Sequence, residues 1–132
     1  MIIVKRNLNN AVVGYKKLVL YSKSKELVLL IYELTKKFPK TELYSLVPQM
    51  RRAAISVLAN IVEGYAKGSS KEYARFLTIS IGSVTELEVY IDISFELGYI
   101  NIKESNEANN IIFELKKLLY GSRKKVLLKI HS

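Results

Sequence analysis

Apolar residues at helical spacing, more of them than one helix face can hold, most constrain what this chain can fold into. From residue 18 to residue 128 they recur three and four positions apart, interrupted at Pro39, Gly68 and Gly98. Residues so spaced share one face of an α-helix, whereas a strand would need strict alternation. The interruptions divide the pattern into four helices.

The first spans about 18–38, with Leu27, Leu30, Ile31 and Leu34 inward and Lys36 and Lys37 favourable at its carboxyl end, where the backbone dipole is negative. Pro39 stops it. The second runs over 48–66, opened by Pro48, a residue suited to a first helical turn, with Gly68 beyond its end. Met50, Ala54, Val57, Ile61 and Tyr65 make its inward stripe, and Ile55, Leu58 and Val62 make a second one. The third begins after Ser69 or Ser70, with Glu72 in its first turn, and ends at Leu97 before Gly98. At ~1.5 Å per residue it is roughly 42 Å long. Phe76, Leu77, Val84, Leu87 and Ile91 form its core stripe, and Ile79, Ile81, Val89 and Ile93 point elsewhere. The fourth starts at Lys103 or Asn106 and reaches Leu128, with Ala108, Ile111, Leu115, Leu118 and Val126 inward.

Short links between four helices predict an all-α, antiparallel up-down-up-down bundle in one domain over residues 18–132, preceded by a basic arm over residues 1–17. Within that arm Ile2, Ile3 and Val4 read equally as a short strand, a fraying end or a segment ordered by a partner. The surplus stripes on helices two and three exceed what an exposed helix of a monomer carries, so copies of the chain are expected to associate.

Charge adds a second constraint. The net charge is +9 over 132 residues, unevenly spread. Residues 1–25 hold six basic and no acidic side chains, residues 26–66 five against four, residues 67–100 three against five, and residues 101–132 seven against three. Basic ends suit a polyanion, whose phosphates attract clustered lysine and arginine; a solubilising surface is the plainer reading. On the fourth helix Lys116, Tyr120 and Arg123 follow one line, Lys117 and Lys124 another, and Lys125 and Lys129 extend the positive character. This reads as a phosphate-binding strip or as the solvated back of an amphipathic helix. Lys5, Arg6, Lys16 and Lys17 supply the basic arm, with Tyr15 as a stacking residue for a base.

Catalytic patterns are missing from the sequence. No cysteine is present, which removes disulfides, thiolate nucleophiles and thiolate metal sites and suits a reducing cytoplasm. His131 is the sole histidine, so neither a histidine triad nor a histidine metal cluster has support. GYAKGSS lacks both the Walker and the dinucleotide spacing, and no arginine is followed closely by histidine as in helical ribonuclease domains. Glu86 and Glu88, two apart on a helix, diverge. No catalytic residue, cofactor or metal is therefore expected. Glu86, Glu88, Asp92 and Glu96 interrupt the most apolar stretch, which argues against a membrane span, and the first ten residues lack the pattern of a secretion signal.

Folding helices two and three into a hairpin through residues 66–69 sets Arg52 beside Glu86 and Asn60 beside Phe76. Arg51 or Arg52 is then expected to pair with Glu86 or Glu88, as a structural contact. Gly82, in mid-helix beside Ser80 and Ser83, reads as a place of close helix contact, with a ligand pocket as the lesser alternative.

The motifs QMRRAA, NIVEG, KEYARFL, IGSVTELE and LGYI occur in that order. Over residues 18–100 the chain thereby resembles the four-helix-bundle family named for 23S rRNA intervening-sequence proteins. Arg52, Asn60, Glu63, Gly64, Phe76, Leu77, Gly82, Ser83, Glu86 and Leu87 stand at family signature positions, while Leu58 and Val62 replace a frequent proline and alanine. The resemblance implies a cytoplasmic bacterial protein that forms rings, with homopentamers among relatives. It also implies association with nucleic acid, above all RNA, because relatives are encoded within rRNA insertions and related retroelement accessory subunits bind a reverse transcriptase and RNA. It brings no enzymatic activity. The resulting expectation is a non-enzymatic homo-oligomer that contacts phosphates through its basic surfaces. An adaptor for a protein such as a reverse transcriptase is the alternative, and a helical-bundle ribonuclease comes third.

Overall fold

The structure, a computed structural model, describes residues 14–130, and the side chain of Lys16 lies outside the description. Four α-helices form it: α1 Val19–Thr35, α2 Leu46–Ala66, α3 Ser70–Glu96 and α4 Ile102–Ile130, with short 3-10 turns at Tyr15–Lys17 and Lys40–Glu42. No strand occurs among the described residues.

Local chemistry fixes the helix ends. The Ser69 hydroxyl accepts the Glu72 backbone N–H at 3.1 Å and starts α3. Asn101 and Glu104 make a reciprocal capping box at α4: Asn101 Oδ1 accepts the Glu104 N–H at 2.8 Å, and Glu104 Oε1 accepts the Asn101 N–H at 2.9 Å. Beyond α2 and α3, Gly68 and Gly98 take positive φ of 80° and 78°, the left-handed geometry in which a side chain is strained. Pro48 lies in the first turn of α2, which begins two residues earlier than its sequence position suggests. There Ser45 offers no side-chain cap, and Glu42 acts instead. Its carboxylate accepts the Ser45 hydroxyl at 2.6 Å, the Leu46 N–H at 3.4 Å and the Tyr99 hydroxyl at 2.7 Å.

Each helix packs on its chain neighbours, and α1 closes on α4. Along α2 and α3 contacting pairs step in opposite senses, as Ser56 with Ser83, Val57 with Ser80 and Gly64 with Phe76. Lys23 with Glu114 and Lys37 with Glu104 do the same for α1 and α4, and Lys116 with Glu88 and Arg123 with Thr78 for α3 and α4. One core results. Leu27, Ile31, Met50, Val57, Ile61, Leu77, Val84, Leu87, Ile91, Leu115 and Leu119 are fully buried in it, and fully burying one such side chain stabilises by roughly 1.5–3 kcal/mol. Among the described residues every buried side-chain nitrogen or oxygen has a hydrogen-bond partner.

Four expectations are corrected. Ile81 is in the core rather than off it. Tyr65 is 40% exposed, its ring set edge-on against Tyr73 where α2 ends. Arg51 turns to α1: its Nε donates to Thr35 Oγ1 at 2.9 Å and its guanidinium lies 4.5 Å from the Tyr32 ring centroid. Gly82 is exposed, and a Cβ there meets nothing within 4 Å, so close contact inside the protomer is not its role.

Candidate nucleic-acid interface

The outer face of α4 follows from the register of its core. With Ala108, Ile111, Ile112, Leu115 and Leu119 buried, the helical period turns Phe113, Lys117, Tyr120, Lys124 and Leu128 to solvent, and all five are exposed. Lys124 and Lys125 have no acidic partner among the described residues, and the ammonium of Lys117 lies 5.5 Å from the Phe113 ring centroid. This strip therefore combines uncompensated positive charge with exposed rings, the pairing that phosphates and bases call for.

The lysines expected to act together do not all remain available. Lys116 is partly buried and donates to Glu88 at 3.0 Å, which ties α4 to α3. Arg123 Nη1 donates to Thr78 Oγ1 at 3.3 Å, and its guanidinium lies 5.1 Å from the Tyr120 ring centroid. Lys17 is exposed in its 3-10 turn, and Lys129 is exposed near the end of α4. Tyr15 does not stand free to stack on a base, since its ring packs on Tyr21 at 5.4 Å. Lys5 and Arg6 lie outside the described residues, as do the side chain of Lys16 and His131.

Two basic residues that sequence reasoning missed join the surface. Lys71 and Arg75, in the first turns of α3, line an open cleft of about 320 Å³ with Thr78, Arg123, Leu127 and Ile130. Arg75 Nε donates to Glu72 at 2.7 Å, which lowers the Glu72 pKa, and its guanidinium stacks 4.5 Å from the Phe76 ring centroid. A periodicity argument treats each helix alone, so no sequence signal brings the start of α3 beside the end of α4.

No group of histidine, aspartate and glutamate among the described residues is arranged to hold a metal ion, and no helix there is long and apolar enough to cross a membrane.

A family model described as 23S rRNA-intervening sequence protein matches residues 16–121. The chain belongs to the 23S rRNA-intervening sequence protein family. It is also similar to a crystal structure of a protein of unknown function from the S23 ribosomal protein family of Bacteroides thetaiotaomicron. Identity is 26%, over 80% of this chain and 96% of that chain, with a TM-score of 0.74. No curated protein matches.

Several signature residues of this intervening-sequence family member lie where α2 meets α3. Asn60 Nδ2 donates to the Ser56 carbonyl at 2.8 Å and to its hydroxyl at 3.1 Å, and Ser56 and Ser83 share a 2.8 Å hydrogen bond across the helices. Gly64 is buried against Phe76, so Phe76 meets Gly64 and not Asn60, as though the hairpin were about one turn longer than expected. Among the described residues no ion pair joins Arg51 or Arg52 to Glu86 or Glu88, which corrects the pairing expected from the hairpin. Glu88 is taken by Lys116, whereas Arg52 and Glu86 both act on Tyr90. Burial first, then the Glu86 hydrogen bond and charge, raise the Tyr90 pKa, and Arg52 opposes them. Glu63, exposed at the end of α2, acts on Arg75 through its charge. Of the signature positions Gly64, Phe76, Leu77 and Leu87 are buried, whereas Arg52, Glu63, Gly82 and Glu86 are exposed.

Proposed function

We propose that this protein is a non-enzymatic homo-oligomer, a pentamer by its resemblance, that holds nucleic acid, foremost RNA, by its phosphates in the cytoplasm. The contact registers along the helix pairs support an up-down-up-down bundle as its protomer. What carries the reading is the outer face of α4, where Lys117, Lys124 and Lys125 lack acidic partners among the described residues and lie among exposed Phe113 and Tyr120. Contacts with phosphate position a nucleic acid without reading its sequence, and repetition of the strip around an assembly adds avidity.

Filter binding of a single-stranded RNA across salt concentrations tests it. On single strands, each lysine that neutralises a phosphate contributes ~0.7 to the slope of log affinity against log salt. Replacing Lys117, Lys124 and Lys125 with glutamine is expected to weaken binding by more than tenfold at low salt and to flatten that slope by about two. Absent binding, or binding indifferent to salt, defeats the reading.

The exposed Phe113, Tyr120 and Leu128 favour a second reading, in which the same strip meets an acidic protein, for instance a reverse transcriptase. A partner that survives nuclease treatment in a pull-down supports the adaptor role; one that disappears with the nucleic acid supports the first.

A further inference from the structure

Two exposed apolar surfaces of this chain, one a cleft and one a ridge, differ in charge. The first is a cleft of about 420 Å³ between α1 and α2, lined by Tyr32, Leu43, Pro48, Arg51, Arg52 and Ile55. Leu43 and Ile55 are 51% and 43% exposed, and neither arginine forms an ion pair among the described residues. The second is a ridge on the outer side of α3. Val89, Ile93 and Leu97 recur there every fourth residue, at 53%, 40% and 54% exposure. That spacing is the anchor pattern of a helix that lies in a groove.

Charge separates the two surfaces. The cleft carries only positive side chains, whereas Asp92 and Glu96 flank the ridge without an ion pair among the described residues. Both carboxylates lie in the last turns of α3, at the negative end of the helix dipole, and no basic residue stands in the last turn to offset them. An external cation relieves that repulsion. Gly82 lies two helical turns before Val89 on the same line, with open space above it where a backbone can approach closely.

We propose that the ridge of α3 in one copy docks into the α1–α2 cleft of the next, with Arg51 and Arg52 of the cleft facing Asp92 and Glu96 of the ridge. The proposal rests on the homo-oligomer reading above and names its contact. Because the two surfaces differ, the contact is head-to-tail, and a joined pair keeps one free cleft on one copy and one free ridge on the other for further copies.

Sedimentation of two variants at micromolar concentration tests it. Ile55→Glu puts a like charge in the cleft toward the acidic ridge, and Ile93→Glu charges the ridge itself. Each alone is expected to fall from the assembled mass to that of a single 15.1 kDa chain. Mixed in equal amounts, they are expected to give a one-to-one dimer that grows no further, since one intact cleft meets one intact ridge. That rescue also shows that both variants are folded. The contact is overturned if either variant keeps the native mass, or if the mixture stays monomeric, while the native chain assembles. A native chain that is itself monomeric overturns the oligomer reading as well, and leaves the cleft to a different protein.

Discussion

Gly64 shows how much one missing side chain can decide. A Cβ at this position falls 2.5 Å from the Cβ of Phe76, an atom fixed to the α3 backbone, so no rotamer change relieves the clash. The two helices approach as closely as they do because this residue is glycine, and the polar bridge from Asn60 through Ser56 to Ser83 lies along the same contact. Gly64→Ala is therefore expected to destabilise the protomer by about 1–3 kcal/mol, the usual cost of overpacking, despite the better helix propensity of alanine. Urea unfolding measures it, and an unchanged or raised midpoint refutes this account of the contact.

The helix α3 carries the opposite case. Gly82 meets nothing within the protomer, so its ~1 kcal/mol propensity penalty is uncompensated there. In the Ile93→Glu background, expected to be monomeric, Gly82→Ala should raise stability by roughly 0.5–1 kcal/mol. Thermal unfolding of the pair of variants reads this directly, and a loss of stability would show a protomer contact at Gly82. Two helical glycines of the family signature thus have opposite environments. The difference is fixed by which side of its helix each occupies relative to its neighbours, which the glycine itself does not disclose.

Across the assembled protomer, Glu42 joins parts distant in sequence: the turn after α1, the start of α2 and Tyr99 beyond α3. Hydrogen bonds from Ser45 first, then Tyr99 and Leu46, hold its carboxyl below the ordinary 4.5. A carboxyl depressed in the folded state stabilises above its unfolded value, and that contribution is lost as pH falls through the folded one. Glu42→Gln is accordingly expected to lower stability at neutral pH, with the gap from the native chain narrowing below about pH 4.5. A gap that stays constant from about pH 7 to about pH 3 in denaturant titrations would remove Glu42 from this role.

The four helices, their breaks at Pro39, Gly68 and Gly98, and most of the inward residues were legible in the amino-acid pattern, because the 3.6-residue period and the rules for helix ends act within a few residues of chain. The same pattern marked Lys117, Lys124 and Lys125 as outward, since a helix that buries Ile111 and Leu115 must turn those lysines away. Packing, by contrast, assigned Arg51 to α1, gave Lys116 to Glu88, and brought Lys71 and Arg75 beside Arg123. Those outcomes depend on how helices pack side by side, and a shift of about one turn in that register changes every partner while leaving each helix's own periodicity untouched.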